Sequence, residues 1–128
     1  MRIQAAMLCD AAVIVGSKLY VLGAALAYWS ANDFPATVDL TLSMVLETEI
    51  EISATGQLDV RVVDRRAETL FAGQLSVTVN PPLVDDAPAV LPVVAPVNFV
   101  GSEPGRVEVL VSIGGSVEAR LPLAVTLA

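Results

Sequence analysis

Residues 38–52, VDLTLSMVLETEIEI, decide how this chain folds. The odd-numbered positions carry Asp, Thr, Ser and Val and end in three glutamates, whereas the even-numbered positions are mostly large and apolar. Because side chains of a β-strand alternate between its two faces, the stretch predicts one long strand, or two strands that share a bend. The apolar face would lie on a core and would contain Leu40, Leu42, Met44, Leu46, Ile50 and Ile52.

Similar alternation recurs along the chain, and turn residues separate the runs. Residues 2–9 and 18–22 read as the first two strands, and residues 11–17 as an apolar connection with a turn at Gly16. Gly114-Gly115 between two alternating runs is a hairpin signal.

Pro92 and Pro96 share one parity of a later run, and proline donates no ladder hydrogen bond. That run therefore predicts an edge strand or an irregular one. No stretch has the 3.6-residue apolar period of a helix. The sequence predicts an all-β fold, an antiparallel two-sheet β-sandwich that is immunoglobulin-like or similar, with about seven to nine strands. We expect a single domain over residues 1–128.

The composition points to an interface. Hydrophobic residues make up 55% of the chain and charged residues only 16%, against about 25% charged residues in typical domains. One small core cannot hold this much apolar residue, so we expect apolar surface, which usually marks an interaction site. The predicted partner is the protein itself, as a homo-oligomer, or another protein.

Charge and residue types exclude several functions. The net charge is −7 and the basic residues are scattered, so we expect no nucleic acid partner. The longest uncharged runs are shorter than the roughly 18 apolar residues of a membrane span and are broken by prolines, so we expect no membrane partner. We also expect no cleaved signal peptide, since Asp10 follows a strand-like alternation.

The chain has no histidine, which removes the commonest general base and the histidine-dependent nucleophilic sites. No residue set forms a catalytic or cofactor motif, so we expect a non-enzyme without cofactor or metal. The one cysteine, Cys9, cannot form an intramolecular disulfide, which favours a cytoplasmic location.

Three segments carry a resemblance to a known family: AAMLCDAA at residues 5–12, GSKLYVLGA at 16–24 and FPATVDLTL at 34–42. They resemble a family of small bacterial proteins of unknown function. Its members open with a strand ending in Cys-Asp, continue with Gly-Lys-Leu-x-x-Leu-Gly, and place Phe-Pro before a long alternating strand. Ser17 separates Gly16 from Lys18 here, which is a small departure. The resemblance implies a single β-sandwich domain with no assigned activity.

Three glutamates, Glu47, Glu49 and Glu51, share one face of the long strand, about 6.6 Å apart at successive positions. They could form a cation site or contact a basic partner. A straight strand does not converge its carboxylates on a cation, which wants six to eight oxygens. We therefore favour a solvated face that resists unwanted pairing.

Asp85-Asp86 lies in a proline-rich loop and could join Asp10, Asp33 or Asp39 in a carboxylate site. No calcium-loop spacing supports such a site. We therefore favour a polar loop.

Three other features have simple structural interpretations. Cys9 could be a reactive thiol, but the neighbouring Asp10 opposes thiolate formation, so we favour a buried, inert cysteine. The arginines of residues 64–68, DRRAE, could bind a phosphate or carboxylate. Self-neutralising surface charge is the preferred interpretation, and Lys18 reads as a lysine that blunts a strand edge.

The preferred functional surface is the segment just before the long strand, because Tyr and Trp are enriched in interface hot spots. A tryptophan in the core under a loop is the open alternative. The predicted function is a non-catalytic structural or protein-binding module, self-associating or part of a larger bacterial assembly. The second hypothesis is a binding module for a small apolar ligand between the two sheets. The interface candidates are Ala24, Ala25, Leu26, Tyr28 and Trp29.

Overall fold

A computed structural model describes residues 1–48, 53–82 and 86–128. Within these residues no helix is long and apolar enough to cross a membrane. The described residues form ten strands, so the all-β prediction is confirmed, and the count exceeds the predicted range because Ala11–Val15 and Tyr28–Ala31 are strands of their own. The strands are β1 (Arg2–Cys9), β2 (Ala11–Val15), β3 (Lys18–Leu22), β4 (Tyr28–Ala31), β5 (Ala36–Thr48), β6 (Ala54–Asp64), β7 (Thr69–Val79), β8 (Ala89–Gly101), β9 (Gly105–Ile113) and β10 (Ser116–Leu127).

The stretch that decides the fold forms β5, and its alternation is as predicted. Leu40, Leu42, Met44 and Leu46 are at most 1% exposed. Residues 49–52, with Glu49, Ile50, Glu51 and Ile52, lie outside the described residues. Ser43 on the odd-numbered face is also buried, so the middle of β5 is covered on both faces.

The strands form three hydrogen-bonded sheets. A three-stranded sheet has the order β1-β5-β8, and a five-stranded sheet has the order β4-β10-β9-β6-β7. Neighbouring strands are antiparallel except β4 and β10, which are parallel. The third sheet is the pair β2-β3. Because β7 also contacts β8 and β1 contacts β10, the five-stranded sheet curls towards both edges of the three-stranded one. The structure thus has several sheets rather than strictly two.

One contiguous buried cluster joins the two larger sheets. Burial of each large aliphatic side chain stabilises the fold by roughly 1.5–3 kcal/mol, so these alternating strands hold the sheets together. The fully buried members include Leu40, Leu42, Leu46, Val97, Leu58, Val62, Val109, Val111 and Leu123.

Two turn and edge predictions are confirmed. β8 has only β5 as a hydrogen-bonded neighbour among the described strands, so Pro92 and Pro96 lie on an edge strand. The Gly114-Gly115 pair joins β9 to β10 as a hairpin. An edge strand without two of its N–H donors is a poor template for pairing with another chain.

The outer faces of the two larger sheets differ in polarity. The pairing register puts Asp59, Arg61, Gln74, Ser112 and Arg120 on the outer face of the five-stranded sheet. The outer face of the three-stranded sheet carries mainly small or apolar side chains, including Met7, Cys9, Val45, Val94 and Pro96. The polar face suits water, whereas the apolar one is the side to which the β2-β3 pair is attached.

Candidate functional site

The β2-β3 pair is a short antiparallel ribbon. Ala11 pairs with Leu22, Val13 with Tyr20, and Val15 with Lys18. Gly16 has a φ of 64° in the connecting turn, a backbone conformation that glycine adopts without steric cost and that tight hairpin turns require. The ribbon is therefore a regular hairpin from its base to its turn.

One face of the ribbon is apolar and exposed. Directly opposite residues of an antiparallel pair project to the same side, and we call the apolar set on this side, Ala11, Val13, Val15, Tyr20 and Leu22, the hairpin face. Val13 is 55% exposed, Val15 59%, Tyr20 52% and Leu22 72%. These residues, with Ala12, line a shallow hollow of about 450 Å³. The hairpin face is thus an apolar surface with a recess.

The opposite face of the ribbon is better shielded. Ala12, Leu19 and Val21 are half-buried on this side, and β2 contacts both β5 and β8. The ribbon therefore lies against the three-stranded sheet, and the hairpin face is directed away from it.

Backbone hydrogen bonds fix the base of the ribbon. The Asp10 N–H donates to the Leu22 carbonyl at 3.1 Å, and the Leu26 N–H donates to the Leu8 carbonyl at 3.0 Å. Gly23 has a φ of 63°, and a Cβ at this position would overlap the carboxylate of Asp10. This packing holds the Asp10 carboxylate at the base, the end of the ribbon opposite Lys18.

Charge is scarce in the segment that contains the hairpin. Between residues 3 and 32 the only charged side chains are Asp10 and Lys18. Their charges cancel, so the net charge of −7 comes from the other residues of the chain. The ribbon itself therefore adds no net charge to this surface.

The predicted interface candidates differ in exposure. Ala24 and Ala25 are exposed and follow the base of the ribbon. Leu26 and Trp29 are half-buried and pack against the core cluster, which matches the alternative reading of a tryptophan in the core. Tyr28 is 66% exposed and pairs with Ala124 of β10. Only the two alanines adjoin the hairpin face in sequence.

The glutamates and the arginine loop have local partners. Glu47 forms an ion pair with Arg2 of the neighbouring strand, and Glu49 and Glu51 lie outside the described residues. The Asp64 carboxylate accepts hydrogen bonds from the N–H groups of Arg66 at 2.8 Å and Glu68 at 3.0 Å. Arg66 also approaches Glu103 at 3.6 Å. These contacts support the interpretation of structural, self-neutralising charge.

The remaining candidates are dispersed or buried. Cys9 is fully buried, and its Sγ lies 3.4 Å from the Thr41 carbonyl oxygen. Asp10, Asp33 and Asp39 are exposed, and Asp85 lies outside the described residues. Across residues 1–48, 53–82 and 86–128, no three carboxylate or thiol side chains are close enough to hold a metal ion.

The hairpin was not predicted from the sequence, although the sequence contains a pattern typical of one. Two β-prone runs, AAVIV and KLYVL, flank a two-residue Gly-Ser connection, and this arrangement is typical of a β-hairpin. Ala11–Val15 is therefore a strand rather than part of an irregular connection.

A model of a known family and two solved structures resemble this chain. A family described as "Family of unknown function (DUF6941)" matches residues 4–126. No functionally curated protein is significantly similar to the chain.

The structural resemblances are distant. The chain is similar to part of a Pseudomonas fluorescens alkylpurine DNA glycosylase, AlkC, bound to DNA containing an abasic site analog, with a TM-score of 0.55 and 14% identity. The match covers 78% of this chain and 28% of that one. A β-glucuronidase from glycoside hydrolase family 2 matches with a TM-score of 0.51 and 12% identity, over 75% of this chain and 10% of that one. Similarity at this level concerns the fold alone, and the chain spans less than a third of either protein.

Proposed function

Because the chain belongs to a family of unknown function, DUF6941, we propose its role from its own surface. We propose that it is a non-catalytic protein-binding module that self-associates or joins a larger assembly. The observation that carries this proposal is the hairpin face, where four large apolar side chains are each more than half exposed. This surface replaces the segment around Trp29 as the centre of the proposed interface.

An apolar face of this kind is less favourable in free energy when it is exposed to water than when it is buried in an interface. Burial of apolar surface stabilises an interface by about 25 cal/mol per Å², and contiguous exposed apolar patches mark interaction sites. Tyr20 lies at the middle of the face, and tyrosine is among the residues that dominate binding energy. The hydrogen bonds at the base keep the ribbon ordered before binding, which lowers the entropic cost of association.

We further propose an immunoglobulin-like arrangement of the two larger sheets and a cytoplasmic location. Support for the first comes from the core cluster that both sheets share. Support for the second comes from Cys9, a free, buried cysteine in a chain without another cysteine, since structural disulfides are typical of oxidising compartments.

We propose neither a catalytic role nor nucleic acid binding for this chain. The absence of histidine from the sequence removes the commonest general base. The net charge of −7 opposes binding to phosphate backbones. We therefore do not propose that this chain binds DNA, as the AlkC protein does in its structure.

The competing proposal places a small apolar ligand between the sheets. It would require space among core residues such as Leu40, Leu58 and Val109, which are fully buried in one contiguous cluster. Native mass spectrometry separates the two hypotheses. Added mass of a bound ligand on the purified monomer supports the ligand site, and discrete complexes without such mass support protein binding.

Site-specific photo-crosslinking in the cells of origin tests the protein-binding function. A photoreactive amino acid at Tyr20 should give discrete protein adducts, identified by mass spectrometry, that disappear when Leu22→Lys is added. The same group at Gln74, on the polar outer face of β7, is the control and should give none. Equal adducts from the two positions, or adducts that persist with Leu22→Lys, would overturn the proposed function.

A further inference from the structure

We propose that the partner of the hairpin face is a second copy of this chain, related by a two-fold axis that crosses the strands of the ribbon. The inference rests on the proposed protein-binding function and names its partner. The oppositely charged ends of the ribbon carry it: Lys18 lies beside the turn, and the Asp10 carboxylate lies at the base.

A two-fold dimer restricts which surfaces of the chain can form its interface. A two-fold interface buries the same patch on both copies, so the patch must be complementary to itself. Tyr20 occupies the centre of β3, with Lys18 two residues before it and Leu22 two residues after it on the same face. At about 3.3 Å per residue, the Cα atoms of Lys18 and Leu22 are roughly 13 Å apart. A two-fold axis that crosses the strands at Tyr20 therefore places the Lys18 end of one copy opposite the Leu22 end of the other.

Charge distinguishes the two possible packings of the ribbon in such a dimer. If the axis ran along the strands, each Lys18 would lie beside the partner's Lys18, and each Asp10 beside the partner's Asp10. If the axis crosses the strands, each Lys18 lies over the end of β3 that carries Leu22. The Asp10 carboxylate rests against Gly23, the residue that follows Leu22. Only the second packing brings opposite charges together, and like charges brought together oppose association.

Tyr20 would lie at the centre of this interface. With the axis across the strands, the Tyr20 rings of the two copies approach each other beside the hollow. Paired aromatic rings contribute beyond the area that they bury. Val13, Val15 and Leu22, which line the hollow with Tyr20, would surround the two rings.

The long-range electrostatics do not forbid this dimer. Two chains of charge −7 repel each other, but residues 3–32 have no net charge. Exposed charges separated by more than about 10 Å are largely screened at ordinary salt concentration. The hairpin itself therefore adds no net charge to an interface between two acidic copies.

A charge-exchange experiment tests this geometry. In the proposed dimer, Lys18→Glu replaces two attractive pairs by two Glu–Asp repulsions, and Asp10→Lys replaces them by two Lys–Lys repulsions. Each variant alone should dimerise at least about tenfold more weakly than the wild type. A 1:1 mixture should form a heterodimer near wild-type affinity, because both of its pairs are again attractive. Sedimentation equilibrium measures all four dissociation constants.

The controls separate geometry from folding and from the function itself. Circular dichroism melts should show that both variants are folded. If Asp10→Lys does not fold, Asp10→Asn should give the same ranking of dissociation constants, with a smaller gain in affinity when it is mixed with Lys18→Glu. At about 1 M salt the differences should shrink, because the screening length falls to about 3 Å.

Two results would overturn the inference. A wild-type protein that is monomeric up to its solubility limit would remove the second copy as partner, and the photo-crosslinking experiment would then decide the protein-binding function separately. A wild-type dimer whose mixed variants bind no more tightly than each variant alone would remove the two-fold packing, while the protein-binding function would stand.

Discussion

Val13 stands directly opposite Tyr20 across the β2-β3 pair, and both side chains are more than half exposed. In the body of the protein, opposite residues such as Val62 and Val109 are fully buried. The same pairing rule thus produces a core in one place and an apolar surface in the other. The difference is that no described strand or loop covers the hairpin face.

Matched leucine substitutions should separate core from surface. Leu42→Ala removes a side chain that is fully buried in the core cluster, and should lower the free energy of unfolding by about 2–5 kcal/mol. Leu22→Ala removes one that is 72% exposed, and should change the stability of the monomer by less than about 0.5 kcal/mol. Urea denaturation at low protein concentration measures both. Similar losses from the two variants would contradict the burial described for β5.

Matched glycine substitutions should reveal the packing at the base of the ribbon. Gly16 and Gly23 have nearly the same positive φ, 64° and 63°, so replacing either with alanine should cost about 1–2 kcal/mol in backbone strain. A methyl group at Gly16 meets open space, whereas one at Gly23 overlaps the Asp10 carboxylate. Gly23→Ala should therefore be clearly more destabilising in thermal or urea unfolding. Equal losses would show that Asp10 is free to move away.

The Asp64 carboxylate should stabilise the loop between β6 and β7. It accepts two backbone hydrogen bonds, from Arg66 and Glu68, and hydrogen bonds to a charged group are worth about 1.5–3 kcal/mol when well formed. Because the loop is partly exposed, Asp64→Ala should lower stability by about 1–2 kcal/mol. Asp59→Ala on the outer face of β6 is the control and should cost less than about 0.5 kcal/mol. Equal effects would show that these hydrogen bonds do not stabilise the loop.

The prolines of β8 should protect the edge of this strand that has no hydrogen-bonded neighbour among the described strands. Pro96 is exposed on the edge strand of the three-stranded sheet. Pro96→Val restores an N–H and a β-prone side chain, and exposed regular edges promote pairing between chains. We expect faster aggregation on mild heating, followed by light scattering or by thioflavin fluorescence. Pro104→Val, in the loop before β9, should leave the aggregation rate unchanged; an equal rise in both variants would point to general destabilisation.

The sequence was sufficient for the strands whose two faces differ in polarity. β5 alternates so regularly that its buried positions could be read from Leu40 to Leu46, and the Gly114-Gly115 hairpin has an explicit turn signal. The edge position of Pro92 and Pro96 followed from the missing N–H donors.

Other features depend on contacts that a sequence pattern does not contain. Ala11–Val15 is apolar at every position, so alternation could neither identify the strand nor show which of its faces is exposed. In β4, which side chain of the Tyr28-Trp29 pair turns inward depends on parallel pairing with β10, almost a hundred residues away. The burial of Ser43 likewise depends on what covers the outer face of β5.

Sedimentation velocity over a range of concentrations measures the molecular mass in solution and shows whether two copies associate. We expect a dimer for the wild type and a monomer for Leu22→Lys, which places a charge in the hairpin face. Gln74→Lys, the same charge on the polar outer face of the five-stranded sheet, should remain a dimer. A monomeric wild type, or a Leu22→Lys variant that associates as strongly as the wild type, would contradict the claim that two copies meet through the hairpin face.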